Sequence, residues 1–144
     1  MRQMTLSELS KSMRSIDFCM LSTHAASGDI AGRPMSNNGD VEYEGDSYFF
    51  TLETTHTVED IERDPKVALS FTGSKGMLGQ RPLFIAVEGK AELIRDKGAF
   101  EAHWTKELDR WFEQGIETPG LLIVKVHATR ITYWDGTEEG EVTL

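Results

Sequence analysis

One cysteine, Cys19, stands among the 144 residues, so an internal disulfide is excluded and the thiol reads as a small buried core residue in a reducing compartment. No apolar run approaches the roughly 20 residues that a spanning helix needs, and no basic N-terminal start leads into a continuous apolar segment. The expectation is therefore a cytoplasmic chain with neither a membrane span nor a secretory signal. Cations are also scarce. Fifteen Lys and Arg face 24 Asp and Glu, a formal net charge of -9, which repels nucleic-acid phosphates and anionic membranes and leaves room only for a local basic pocket holding one phosphate. The four histidines, His24, His56, His103 and His127, have no metal-ligand spacing with one another or with Cys19. There is no nucleophile elbow, Rossmann fingerprint or P-loop.

What is present reads as one domain over residues 1–144, with no linker, internal repeat or low-complexity segment. Thr5 to Glu8 has the form of a capping box, and Leu6, Leu9, Met13 and Ile16 recur at helical spacing, giving an opening amphipathic helix to about Ser15. Asp17 to Thr23 reads as a strand apolar on both faces, one for a barrel interior and one for a helix or a subunit. Ala25 to Asp29 turns it into a second strand ending at Ser36, where Pro34 indicates an edge or a bulge. Ser47 to Leu52 is a strand with Tyr48, Phe50 and Leu52 on one face and Ser47, Phe49 and Thr51 on the other. Lys66 to Phe71 alternates cleanly, and the run from Leu83 to Ile94 carries Gly89 as a bend or bulge. A helix is expected from Lys97 to Phe112, then a strand from Leu121 to Trp134, then an exposed, mobile acidic tail over 135–144. Six or so strands with short helices make a mainly β barrel with α additions.

The polar residues gather where the third strand gives way to a short helix. Glu53 to Thr57 supplies three hydroxyls and an imidazole, and Thr57 with Asp60 approximates a capping box that starts the helix there. A strand ending in hydroxyls at a helix N-terminus suits an anion, because unpaired N–H groups and the helix dipole both favour negative charge. Ordinary capping by Thr54, Thr55 and Thr57 is the competing reading, and Glu59 and Asp60 would themselves satisfy the terminus. Arg33 is either a surface arginine or a planar donor fork for a phosphate or a ring carbonyl.

Gly32-Arg33-Pro34-Met35, Tyr48-Phe49-Phe50-Thr51 followed by the helix ending Arg63-Asp64-Pro65-Lys66-Val67, and the late Arg130-Ile131-Thr132-Tyr133-Trp134-Asp135 together resemble the flavin-binding split-barrel family related to pyridoxamine 5′-phosphate oxidase. Within it the similarity is to the general stress protein 26-like branch, and it extends from about Leu6 to Asp135. The resemblance implies a six-stranded split β-barrel and a homodimer with FMN in a groove at the subunit interface; FAD stays open as an alternative. It assigns the cofactor to Arg33, to the backbone of Met35 and Ser36, to the Phe50 backbone and Thr51 hydroxyl, and to Thr55, His56 and Thr57 at the phosphate end. Many relatives place a lysine at that helix start. Here it is absent, which leaves the phosphate to Arg33, the helix terminus and Lys75 of the glycine-rich loop. His56 reads equally well as a phosphate donor or as a helix-start residue without a ligand. Trp134 resembles the tryptophan that reaches the partner subunit's flavin, or it is a core residue at a strand end.

The function so implied is a flavoprotein, an FMN-dependent oxidoreductase served by a small-molecule electron donor if it turns over at all. No residue presents itself as an acid or base. The alternatives are a non-catalytic flavin-binding or flavin-storage stress protein and a barrel dimer that has lost its cofactor. Efficient pyridoxamine 5′-phosphate oxidation is not expected, because that substrate brings a second phosphate. Asn38 stands where the true oxidases carry a lysine, and the segment after Trp134 has four carboxylates and no cation, so only Lys75 and Arg81 could compensate.

Overall fold

The computed structural model describes residues 3–37, 43–73, 82–136 and 138–144. The chain runs α1 (Leu6–Met13), β1 (Phe18–His24), β2 (Ile30–Ser36), β3 (Asp46–Leu52), α2 (His56–Arg63), β4 (Lys66–Thr72), β5 (Leu83–Ile94), α3 (Lys97–His103), two 3-10 turns (Lys106–Arg110 and Gly115–Glu117), β6 (Leu121–Asp135) and β7 (Glu138–Thr143). All pairings are antiparallel, in the order β2-β1-β4-β5-β6-β3. The fold is a split barrel left open between β2 and β3, with seven strands rather than six among the described residues.

The seventh strand comes from the acidic tail. β6 is 15 residues long, and its first half pairs with β3 while its second half pairs with β7 along the same edge. The tail is therefore an ordered strand and not a mobile segment, because without it the edge of β6 beyond His127 would be unpaired. Tyr133 anchors this corner: its hydroxyl accepts the Met4 N–H at 2.7 Å, and its ring covers Gly140 so closely that a Cβ there would lie 2.1 Å from it.

The bend expected at Gly89 is present. The β5–β6 register shifts between Glu88 and Gly89, and a Cβ on Gly89 would sit 2.4 Å from the His127 carbonyl oxygen, so only glycine admits this approach. The barrel interior is filled by Leu21, Leu69, Phe71, Ile85, Val87, Leu122, Val124 and Ile131, with Leu9, Met13, Val58 and Ile61 closing it from α1 and α2. Cys19 belongs to this core, and burial pushes its thiol up to about 12, which makes it an inert space-filler.

A second cluster packs outside the barrel, where Phe50, Leu121 and Ile123 meet Phe100, Trp104, Leu108, Phe112 and Ile116. The helix expected over residues 97–112 is broken here. α3 ends at His103, and the chain continues through Trp104 in extended conformation into a 3-10 turn. The break lets Trp104 pack edge-on against Phe50 with ring centroids 4.9 Å apart, a placement one straight helix would not allow. Leu121 to Val124 is thus covered on both faces within the chain and is not an exposed apolar face. β1 behaves differently: Cys19 and Leu21 point into the barrel, whereas Phe18 and Met20 are 49% and 44% exposed on its outside.

Candidate functional site

The two ends of the sheet order, β2 and β3, face one another across a groove of about 400 Å³, within the range of small-ligand sites. Arg33, Pro34, Met35 and Ser36 line it from β2, Phe50, Thr51 and Leu52 from β3, and Thr55 and Thr57 from the start of α2. Phe18, Leu108, Trp111 and Phe112 complete the wall. Most of this surface is apolar and aromatic, which suits a flat ring system, while the polar side chains gather at the α2 end.

Ladder alternation determines which backbone groups face the groove. Asn37 N–H bonds Asp17 O and Ala25 N–H bonds Asp29 O, each at 2.8 Å, in the register that pairs Phe18 with Ser36. The odd-numbered β2 residues, Arg33 and Met35 included, therefore spend their backbone on β1. Gly32, Pro34 and Ser36 present theirs to the open edge, where the missing N–H of Pro34 leaves no broken ladder bond. On the other side Glu53 N–H bonds Gly120 O and Ala128 N–H bonds Gly45 O, so Tyr48, Phe50 and Leu52 turn their backbone outward. The backbone role expected of Ser36 and Phe50 is geometrically available. That of Met35 is not, because its N–H and C=O belong to the β1 ladder; Met35 offers its side chain.

At the polar end the expected capping box is replaced by another arrangement. α2 begins at His56 with Thr55 as its N-cap, and no side chain caps it. The Thr55 hydroxyl instead donates to Leu52 O at 2.9 Å and lies 3.4 Å from that of Thr51. Asp60 turns inward, where Thr23 donates to its Oδ2 at 2.8 Å and the Arg33 and Arg63 guanidiniums approach to 3.3 and 2.9 Å. Burial alone would raise the Asp60 pKa, but the Thr23 and Arg63 hydrogen bonds and the two cations outweigh it and hold the carboxyl below its ordinary value. Arg33 also donates to the Thr23 hydroxyl at 2.7 Å, which fixes the guanidinium at the groove wall.

Seven of the ten residues expected at the site line this one groove: Arg33, Met35, Ser36, Phe50, Thr51, Thr55 and Thr57. His56 does not; its imidazole is almost fully exposed, 3.4 Å from Glu59. Trp134 lies away from the groove on the outer face of β6, between Phe84 of β5 and Glu139 of β7, and is 37% exposed. Lys75, Arg81 and Asn38 fall outside the described residues.

The sequence reading missed Asp60 and Thr23, which tie Arg33 down, and the aromatic wall of Trp111 and Phe112 at the end of the segment expected to be helical. It also missed a second, polar depression of about 210 Å³ that shares Met35, Ser36, Phe50 and Leu108 with the groove. Arg14, Asp17, His103 and Glu107 line it. His103 stacks on Tyr48 with centroids 3.7 Å apart, and burial, helped by Lys125, holds its imidazole below the ordinary value, so the ring is neutral at neutral pH. A neutral imidazole beside a ring-sized groove can accept a proton or donate a hydrogen bond.

The comparisons with known proteins agree with this architecture. A protein from Clostridium acetobutylicum related to general stress protein 26 superposes with a TM-score of 0.79 at 18% identity, covering 96% of this chain and 94% of that one. General stress protein 26 of Bacillus anthracis does so with a TM-score of 0.77 at 23% identity, over 98% and 100% of the two chains. A heme-binding protein of Mycobacterium smegmatis shares the fold at a TM-score of 0.76 and 14% identity, over 99% of this chain and 60% of its own. No curated protein matches by sequence. The family model described as pyridoxamine 5′-phosphate oxidase like matches residues 4–144, and the chain therefore belongs to that family.

Proposed function

We propose that the groove between β2 and β3 binds FMN and that the protein is a flavoprotein acting as a homodimer in the cytoplasm, its whole length forming one flavin-binding domain. The observation that carries this reading is the coincidence, in one groove, of apolar walls, two open sheet edges and an anion-receptive end. The flat ring would lie among Pro34, Phe50, Leu52, Leu108 and Phe112. The outward backbone groups of Ser36 and Phe50 would meet its polar edge, with Arg33, Thr57 and the uncapped start of α2 at the phosphate. The Thr57 hydroxyl has no hydrogen-bond partner among the described residues and is free to donate there. When bound, the flavin supplies electron transfer, and the protein supplies orientation, exclusion of water and electrostatics.

Phe18 and Trp111 stand 49% and 58% exposed at the groove wall, apolar surface of the kind that marks a ligand or subunit contact. A second subunit would cover them and bring its own Trp134 toward the flavin. Efficient pyridoxamine 5′-phosphate oxidation is disfavoured, because Glu138, Glu139 and Glu141 are fixed along β7 beside Trp134 and would repel a second phosphate. A non-catalytic flavin carrier is the second reading, favoured by Arg33 being the one charged residue that lines the groove itself among the described residues.

The test is titration of the flavin-free protein with FMN and with riboflavin, followed by ring fluorescence. Saturable binding of both with FMN the tighter is expected, and equal affinity would remove the phosphate assignment. Rapid reduction of the bound flavin by a nicotinamide donor, followed by reoxidation, would distinguish the oxidoreductase from the carrier.

A further inference from the structure

Asp60 is 5% exposed, yet it carries a charge and stands on α2 directly behind the groove wall. Its two oxygens are divided between two cations. Oδ2 accepts from Thr23 at 2.8 Å and lies 3.3 Å from Nη2 of Arg33, while Oδ1 accepts from Nη2 of Arg63 at 2.9 Å. The two arginines occupy different places. Arg33 lines the groove and is 21% exposed, whereas Arg63 is 42% exposed, does not line the groove and also donates to the His24 carbonyl. The cation available to an anion in the groove is therefore the one already facing a carboxylate.

Three of the Arg33 donor contacts are internal: Nη1 to the Thr23 hydroxyl and the Leu21 carbonyl, and Nη2 to Asp60. A guanidinium has five N–H groups, so Nε–H and one Nη2–H have no partner among the described residues and remain for a ligand. The fork is thus well oriented but electrically muted, because a unit negative charge at hydrogen-bond distance cancels much of its attraction for a phosphate. Arg63 works in the opposite sense, since it draws on the same carboxylate from the far side and reduces what Asp60 takes from Arg33.

We propose that Asp60 attenuates Arg33, with Arg63 limiting that attenuation, and that this pair of contacts sets how strongly the groove prefers a phosphate-bearing flavin over the same ring without its phosphate. The proposal rests on the flavin reading above and names the regulation of that site. Asp60 does not line the groove. It is a positioning and charge-setting residue that acts through Arg33, and it offers an account of a phosphate end that lacks the lysine many relatives carry while also spending part of its arginine on the protein.

The experiment measures dissociation constants for FMN and riboflavin on the full-length, flavin-free protein in three forms: wild type, Asp60→Asn and Arg63→Gln. The quantity read is the ratio of riboflavin to FMN dissociation constants. Both ligands share the ring, so distortion of the groove or partial unfolding moves them together, and only a change at the phosphate end moves the ratio. Asn is nearly isosteric with Asp and keeps an acceptor for Thr23, and Asp60→Asn is expected to raise the ratio by about tenfold, the effect of removing one nearby charge. Arg63→Gln should lower it by about threefold, since Asp60 then rests on Arg33 alone. Should Asp60→Asn fail to fold, Arg63→Gln decides the matter, because its half-exposed side chain can be lost without opening the core. A ratio unchanged or displaced in the opposite direction, with flavin still bound, overturns the proposal and leaves the flavin reading intact. Absence of binding by either flavin to the wild type overturns that reading and the proposal with it.

Discussion

Arg33 shows how much a single side chain's position depends on partners distant in sequence. Its resemblance to a family motif identified it, but nothing near residue 33 indicates that Thr23 and Asp60 hold it. Asp60 was legible only as the fourth letter of a capping box. In the structure α2 starts two residues earlier than that box requires, with Thr55 and not Thr57 as N-cap, and Asp60 lies within the helix facing Thr23. Arg33→Ala is expected to weaken FMN binding by roughly 1.5–3 kcal/mol, the worth of a charge-assisted hydrogen bond, and riboflavin binding far less. An unchanged FMN dissociation constant would take Arg33 out of the site. The Asp60 carboxyl, lowered in the folded chain, adds a pH dependence. Its stabilising contribution is fully present above the ordinary aspartate value of about 3.9 and is lost as pH falls through the lower native one. The stability gap between wild type and Asp60→Asn, read by denaturant unfolding, should therefore be open at neutral pH and close in acid. A gap constant down to the lowest pH the fold tolerates would contradict the ionised cluster.

Strands are legible in the sequence where their alternation is strict, and helices less so. Lys66 to Phe71 and Leu83 to Ile94 announce themselves because one face must be apolar and the other need not be. The 97–112 segment misled because Phe100, Trp104, Leu108 and Phe112 fall at helical spacing, yet they serve a second apolar cluster that wants Trp104 edge-on to Phe50. The sequence of the tail points to a mobile end because Glu138, Glu139 and Glu141 have no apolar alternation; the open edge of β6, a tertiary feature, is what orders it. Gly89 makes the corner of the barrel testable. Gly89→Ala should destabilise the fold by about 1–3 kcal/mol, the usual cost of overpacking, since the added methyl meets backbone that cannot rotate away. Thermal unfolding measures it, and a melting temperature equal to that of wild type would show that the β5–β6 bulge is looser than described.

For the whole molecule, the decisive feature is a sheet whose first and last strands do not pair with each other. Closing β2 onto β3 would fill the barrel's edges with hydrogen bonds and abolish the groove; leaving them apart costs unpaired backbone groups that a ligand and a second subunit can satisfy. Phe18, Met20, Phe84 and Trp134 stand exposed on the outer faces of β1, β5 and β6, and the proposed homodimer would bury them. Sedimentation of the flavin-loaded protein at micromolar concentration should give a dimer, and Trp134→Ala should alter the fluorescence of the bound flavin; a monomer with flavin still bound would contradict the interface. Whether the open seam holds a flavin is read from the visible absorption spectrum of the freshly purified protein, with the released cofactor identified. A yellow protein that releases FMN on denaturation is expected. A colourless protein that takes up no FMN when it is supplied, or a spectrum dominated by a haem band, would contradict it.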